Sequence, residues 1–530
     1  MPESKAYFTI GRLLAVCLAV AFFTQPASAQ LPNAEDLCLE PSDELDPSRY
    51  LRALSLDLRG DVPDDLETQA TLEAGEVPDA LIDEWLASEA FIERVVRHHR
   101  SLLWNSVRNV SLLSANFDLT GERVLAWRRT PALTYRGASV PCQDVPATWD
   151  EDGRLITQLV DGARLEGFVF VRPYWNPAVA IKVCAFDAQE TLFTANNVVC
   201  GSPRGGTDIE CGCGPNLQFC GLEATRIAIA ESMAEAQDQI VRTLLTEGQS
   251  YLELLTTRRA WVNGPLVHFW RHQAAMPGSV LFEPMPIDPL SLPELSFTDR
   301  QTWREIRLPE GHAGLLTQTA FLLRFQTQRA RASRFYDAFL CQPFQPPPGG
   351  LPAPDSECSR NPDLQSRCGC GYCHALLEPS GAFWGRFGEQ SVAQLSPERF
   401  PPMRPDCLAC AVSGLQCSDE CRRHYVTTAL SPSEQPYLGQ LKAYYFRRPE
   451  HARNIETGPA LLVRSAVADH RLPTCVARRT AEWLLGRPLN LADEEQVFLD
   501  ELAHDFVTSG FDYPALVKRI VTHDTYRRVR

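Results

Sequence analysis

Cysteine placement constrains this chain more than any other feature. The 530 residues include 18 cysteines, a density foreign to the cytosol and normal where disulfides form. Cys142, Cys184, Cys200, Cys211, Cys213 and Cys220 fall in one Gly- and Pro-rich stretch. Cys407, Cys410, Cys417 and Cys421 crowd a second. Both stretches read as insertions stapled by disulfides. Zinc held by Cys200, Cys211, Cys213 and Cys220, or by the four cysteines of the second group, is the competing reading.

A third arrangement is of another kind. Cys370-Gly371-Tyr372-Cys373-His374 sets two thiols three positions apart with a histidine directly after them. Each thiol can add across one vinyl group of a porphyrin, and the imidazole that follows can ligate the iron from one side. The spacing therefore predicts one covalent haem c on Cys370 and Cys373, with His374 as proximal ligand. Cys407 and Cys410 repeat the CxxC spacing without the histidine. A disulfide, or a zinc knuckle beside a histidine, is the plainer alternative for 370–374.

The leader favours haem, because c-type attachment takes place outside the cytoplasm. Lys5 and Arg12 form a basic start, Leu13 to Phe23 an apolar run too short to span a bilayer, and Ala27-Ser28-Ala29 a small-x-small cleavage pattern. Residues 1–29 are thus expected to be a signal peptide, and the mature chain to begin at Gln30. No later apolar run is long enough to cross a membrane, so an exported protein of the bacterial periplasm or outer envelope surface is expected. Setting aside Cys17 with the leader, and the haem pair, leaves an odd number of cysteines. At least one is then free, metal-bound or paired to another chain. A net charge of −15 argues against nucleic acid as partner.

Helical spacing opens the mature chain. Tyr50, Leu51, Leu54, Leu56 and Leu58 precede a break at Gly60-Asp61-Val62-Pro63, after which Asp64 and Asp65 can start the next helix. Ala80, Leu81, Ile82, Trp85, Leu86, Phe91, Ile92, Val95 and Val96 continue the pattern. His98 and His99 follow. Adjacent residues point about 100° apart on a helix, so the two are read as surface or packing residues rather than one metal site. From 118 to 222 alternation replaces helical spacing, and Phe168–Val171 and Val179–Val183 read as strands. Helix is expected again from Leu222 to Trp270 and from His312 to Cys341, until the run Gln345-Pro346-Pro347-Pro348-Gly349-Gly350. A short helix after His374 should stop at Pro379, and Phe383, Trp384 and Phe387 could wall a porphyrin. The expectation is a mainly α fold: a multi-module helical body with a cysteine-rich, strand-containing insertion and a cytochrome c-like haem segment. Its divisions are 30–117 (N-terminal helical), 118–222 (insertion), 223–345 (central helical), 346–400 (haem attachment), 401–445 (second cysteine-rich insertion) and 446–530 (C-terminal helical).

The order of these pieces resembles the planctomycete-type large cytochrome c-like proteins, built from serial modules of unknown function around one CxxCH. The similarity lies in Leu54 to Gly60 with Ile82 to Arg94, and in Glu253-Leu254-Leu255 through Trp261-Val262-Asn263. It continues in His312 to Thr317 with Leu340-Cys341, and in Cys370 to His374 with Glu378-Pro379-Ser380-Gly381. Cys475-Val476-Ala477, Leu485-Gly486-Arg487 and Ser509 to Asp512 complete it. The two cysteine-rich insertions depart from the family pattern. The resemblance implies haem binding and electron transfer, and no named reaction.

The face of the iron opposite His374 decides the chemistry: a methionine there suits electron transfer, an open face admits small ligands. Met403, in Pro401-Pro402-Met403-Arg404-Pro405, is the candidate second axial ligand, with His424 behind it and an open site as the alternative. The function expected is electron transfer with a redox partner protein of the envelope. A haem-dependent redox enzyme of unknown substrate and a disulfide-stapled envelope binding protein without haem are the other readings. No Ser-His-Asp order, HExxH, P-loop or GxGxxG in the right context supports hydrolase or nucleotide chemistry.

Overall fold

In the computed structural model the described residues are 44–107, 110–121, 124–129, 135–274, 281–345, 355–492 and 494–528. The leader, Cys17 and the proline run 346–350 lie outside them. About 48 % of the chain is helical, with few and short strands.

The first helices form as their end signals dictate. The α1 helix (Pro47–Leu58) has Asp46 at its N-cap, accepting from the Ser48 and Arg49 amides. The α2 helix (Asp65–Ala74) starts at Asp64 with a reciprocal capping box to Glu67, as the two aspartates suggested. Ser88 caps α4 (Glu89–Leu103), which follows α3 (Asp79–Leu86) and buries Phe91, Ile92, Val95 and Val96 along one face.

The cysteine-rich lobe holds three two-stranded antiparallel ribbons: β1 (Leu119–Thr120) with β2 (Trp127–Arg128), β3 (Gln158–Val160) with β4 (Ala163–Leu165), and β5 (Phe168–Val171) with β6 (Ile181–Cys184). The second strand of the last pair begins two residues later than the alternation suggested. Its register sets Phe168 opposite Cys184 and Val171 opposite Ile181. Disulfides Cys142–Cys184, Cys200–Cys211 and Cys213–Cys220 staple the lobe. A small apolar cluster around Phe117, Ala126, Val183 and Leu217 fills it. Beside this lies a buried ionic cluster: Asp187 takes Arg128 at 2.9 Å and Arg136 at 2.7 Å, and Arg136 also reaches Glu166 at 2.6 Å.

The central part departs from its helical expectation twice. After α5 (Glu223–Thr246) and the short α6 (Glu253–Thr256), β7 (Arg259–Val262) pairs antiparallel with β8 (Arg304–Arg307). Arg-Ala-Trp-Val alternates but is only four residues long, and its partner lies more than forty residues on. The α7 helix (Gly264–His268) then runs into a π-helical turn, Phe269–Gln273. The single helix expected from His312 to Cys341 is broken into α8 (Thr319–Arg324) and α9 (Gln328–Leu340). Phe325 leaves the helical region (φ −108°, ψ 81°), and Thr327 caps the new start. The freed carbonyls are not left bare. Fully buried Arg331 donates to Leu322 and Phe325, and also to Gly388 and Ser391.

The α10 helix (Gly371–Gly381) carries Pro379 inside its last turn instead of stopping before it. The helix continues into a 3-10 turn at Ala382–Trp384. The second cysteine-rich segment forms α11 (Pro405–Ser413) and α12 (Asp419–His424), joined by Cys407–Cys421 and Cys410–Cys417. Five helices close the chain: α13 (Ala452–Thr457), α14 (Pro459–Ala468), α15 (Arg471–Leu485), α16 (Glu494–Thr508) and α17 (Tyr513–Val521); a last turn, α18 (Asp524–Arg527), follows them.

N-terminal, central and C-terminal helices contribute to one core, with Leu54, Phe91, Leu254, Trp270, Phe335, Trp384, Leu484 and Val517 among its members. Polar ties cross it. The Tyr50 hydroxyl donates to the Val521 carbonyl at 2.8 Å, and the Tyr526 hydroxyl to Asp57 at 2.6 Å. A further disulfide, Cys341–Cys475, links the end of α9 to α15.

Candidate functional site

The approach to Cys370 is tightly built. Disulfide Cys358–Cys368 closes the loop before it. Asp363 accepts from the Gln365 amide at 2.9 Å, holding the turn. Gly369 sits at φ +71°, a conformation that side chains resist. At Gly371 a Cβ would stand 2.6 Å from the Gln365 carbonyl oxygen, so only glycine fits that approach. The Gly371 amide then bonds the Arg367 carbonyl, and the Cys373 and His374 amides bond the Cys370 carbonyl. The CxxCH is thereby wound into the first turn of α10.

Cys370 and Cys373 are the two unpaired cysteines among the described residues, and both are half-buried. The Cys373 thiol donates to the Gln345 carbonyl at 3.3 Å. On the same turn Tyr372 is 65 % exposed and Leu376, one turn on, 40 % exposed. An apolar strip is thus left facing outward beside the two thiols.

His374 lies one turn before Glu378, and its Nδ1 stands 2.7 Å from Glu378 Oε1. A carboxylate only accepts, so Nδ1 is the donor, and in the tautomer that a metal ligand needs Nε2 then holds the lone pair. Glu378 is 4 % exposed. Oε1 also accepts from Arg329 Nε at 2.5 Å, and Oε2 from Arg447 Nη1. Burial pulls the Glu378 carboxyl upward. The hydrogen bond from Arg329, the charges of Arg447 and Arg329 and the bond from His374 outweigh it, leaving the group below the usual range.

The three aromatic residues are not an open wall. Trp384 is fully buried, donates Nε1–H to the Leu316 carbonyl at 2.9 Å and stacks on Phe321. Phe387 packs edge-on against His312, and Phe383 is part of the main core. Large rings next to a helix with a buried face serve packing first, and these anchor the end of α10.

Met403 is 40 % exposed and bridges backbone-to-backbone with Gln440. Its neighbours Pro402 and Arg404 bond Leu441 and Gly439. None of these contacts brings it to His374. His424 lies against Phe400, ring centroids 5.1 Å apart. Burial first, then the cations Lys442, Arg423 and Arg399, hold it down at about 4 against the pull of Glu420.

His98 and His99 pack inside the core and are not surface residues. His98 stacks on Trp483, while His99 engages the Val95 carbonyl and the Tyr251 hydroxyl. The zinc alternatives have no thiolates to use. Cys200, Cys211, Cys213 and Cys220 are consumed in two disulfides, and so are Cys407, Cys410, Cys417 and Cys421. The two clusters of metal-ligating types among the described residues, Cys142/Glu166/Cys184 and Asp406/Cys407/Cys421, likewise rest on disulfide sulfurs.

The sequence reading named Glu378 only within the resemblance, with no site role, and did not single out Arg329 or Arg447. A glutamate four residues after the motif histidine was a readable signal, because i and i+4 share a helix face. No family model, curated protein or solved structure matches the chain.

Proposed function

We propose that the chain is an exported c-type haem protein, carrying one haem on thioethers from Cys370 and Cys373 with His374 on the iron, and that it transfers electrons in the bacterial envelope. The observation that carries this reading is the sorting of cysteines. Every other described cysteine is paired, Cys407 and Cys410 with their own CxxC spacing included, while the two of the CxxCH keep their thiols, half-exposed on the first turn of a helix. Two free thiols and an imidazole with a free Nε2 are the donor set that covalent haem takes. Bound there, haem supplies one-electron chemistry. The chain's own residues supply the rest: thiols that add across the vinyl groups with nothing lost, an imidazole held in one tautomer, and an apolar strip at Tyr372 and Leu376 suited to lie against a porphyrin edge.

Resemblance to the planctomycete-type cytochrome c-like proteins supports the reading. So do the disulfides, which belong to an oxidising compartment. No helix among the described residues is long and apolar enough to cross a membrane.

The test is matured protein from a host with a cytochrome c maturation system. On a denaturing gel, haem staining should follow the wild-type band and vanish in Cys370→Ala/Cys373→Ala. Unstained wild-type protein overturns the proposal in favour of a disulfide-stapled binding protein. Met403→Ala tests the second ligand separately. Its contacts predict an unchanged visible spectrum, whereas loss of a sulfur-to-iron band would identify Met403 as the ligand.

A further inference from the structure

We infer that Glu378 is the positioning residue for the His374 ligand and that Arg329 and Arg447 restrain how strongly it acts. The inference rests on the haem reading above, and on four observations.

The first is direction. The two nitrogens of an imidazole lie on opposite edges of the ring. Tying Nδ1 to a carboxylate at 2.7 Å therefore turns Nε2 away from the buried acid and fixes the ring's rotation. The second is attachment. Glu378 does not hang on His374 alone. Its two oxygens are held from α9 by Arg329 and from the segment before α13 by Arg447, and Arg447 is itself fixed by Gln328 Oε1 at 3.1 Å. A carboxylate clamped from three sides is a rigid support.

The third is charge. A full anion on the outer nitrogen pushes electron density through the ring towards whatever Nε2 ligates. That favours the ferric state, which carries one more positive charge than the ferrous. Oε1 is shared between His374 and Arg329, so the guanidinium draws off part of this effect. The fourth is burial. Glu378 and Arg447 are almost withdrawn from solvent, with side chains 6 % and 5 % exposed, while Arg329 is 44 % exposed. Water screens the anion and its inner partner little, and Arg329 is the part of the clamp that can be altered from outside.

A purely structural glutamate, tying α10 to α9, would also need its arginines. The two roles part in their response to substitution. In full-length, covalently loaded protein, Glu378→Gln removes the charge but leaves an amide oxygen to accept from Nδ1, and the midpoint potential should rise. Arg329→Gln leaves Oε1 to His374, with Arg447 still on Oε2, and the potential should fall. Glu378→Ala removes the acceptor as well. Its ferric electron paramagnetic resonance signal should broaden or split as the ring loses its single orientation, while that of Glu378→Gln stays one species.

Unmoved potentials, or Gln variants at 378 and 329 that shift the same way, overturn the inference. So does a Glu378→Ala signal identical to that of Glu378→Gln. If Glu378→Gln fails to accumulate, Arg329→Gln decides alone: a fall supports the clamp, and no change or a rise refutes it. The haem stain keeps the two levels apart. An unstained wild type sinks the haem reading, whereas a stained wild type with unresponsive variants sinks only the role of Glu378.

Discussion

At His99 both ring nitrogens are engaged and the whole side chain is inside the core. Burial drives its pKa from the ordinary 6.5 to about 4, only partly offset by the Val95 carbonyl. A histidine whose folded pKa is depressed leaves the unfolded chain binding more protons between those two values. Its share of stability is then complete above about pH 6.5 and is lost as pH falls towards 4. A tenfold change in proton affinity is worth about 1.4 kcal/mol, so between pH 7 and pH 4.5 this group should account for roughly 2.5 kcal/mol. Denaturant unfolding at the two pH values should show His99→Gln losing less stability than the wild type by an amount of that order. An equal loss in both proteins would count against it. Residue-scale chemistry was unevenly legible. Cys370, Cys373 and His374 announce themselves by spacing, and Glu378 stands in register four residues on. Arg329 and Arg447 give no such sign, because they arrive from 49 and 69 residues away along the chain.

Elements were legible where their ends are local. Asp64 starts α2 and Ser88 starts α4 through side chains that bond amides three residues on. They were not legible where a distant group decides. The break between α8 and α9 is satisfied by Arg331 reaching back, and β7 exists because β8 is there to pair with it. Cysteine pairing is the extreme case, since composition says that bridges form and not which. The pairing has energetic consequences that differ by element. In the loop-entropy account a cross-link stabilises more as the loop it closes lengthens. Cys341–Cys475 spans 134 residues and Cys410–Cys417 spans 7, which gives about 5 against about 2 kcal/mol. Thermal unfolding should therefore show a larger fall in Tm for Cys341→Ala/Cys475→Ala than for Cys410→Ala/Cys417→Ala. Equal falls would mean that native packing around the bridges, not chain closure, sets their value.

For the molecule as a whole, a mainly helical body was readable from periodicity and a loop-rich lobe from composition. The sharing of one core by the first and last helices was not, because it depends on pairs such as Tyr50 with Val521 that lie 471 residues apart. The two parts are also held by different means. The helical body rests on a large apolar interior. The lobe from 118 to 222 rests on three bridges, a small cluster and a buried set of charges. Buried ion pairs return little of what their desolvation takes, so the bridges matter most there. Limited proteolysis after mild reduction should first cut between 118 and 222, with the helical body persisting. Early cleavage within α15 or α16 would contradict this.

The Cys341–Cys475 bridge has a mechanical consequence. It turns everything between the two cysteines, CxxCH included, into a closed ring that hangs off the line of force between the chain's ends. A molecule pulled from its termini would unravel its outer helices and never load the ring. About 134 residues, roughly 450 Å of extended chain at about 3.4 Å each, would be missing from the stretch until a reductant released them. Traction on this protein would spare the segment that holds the CxxCH.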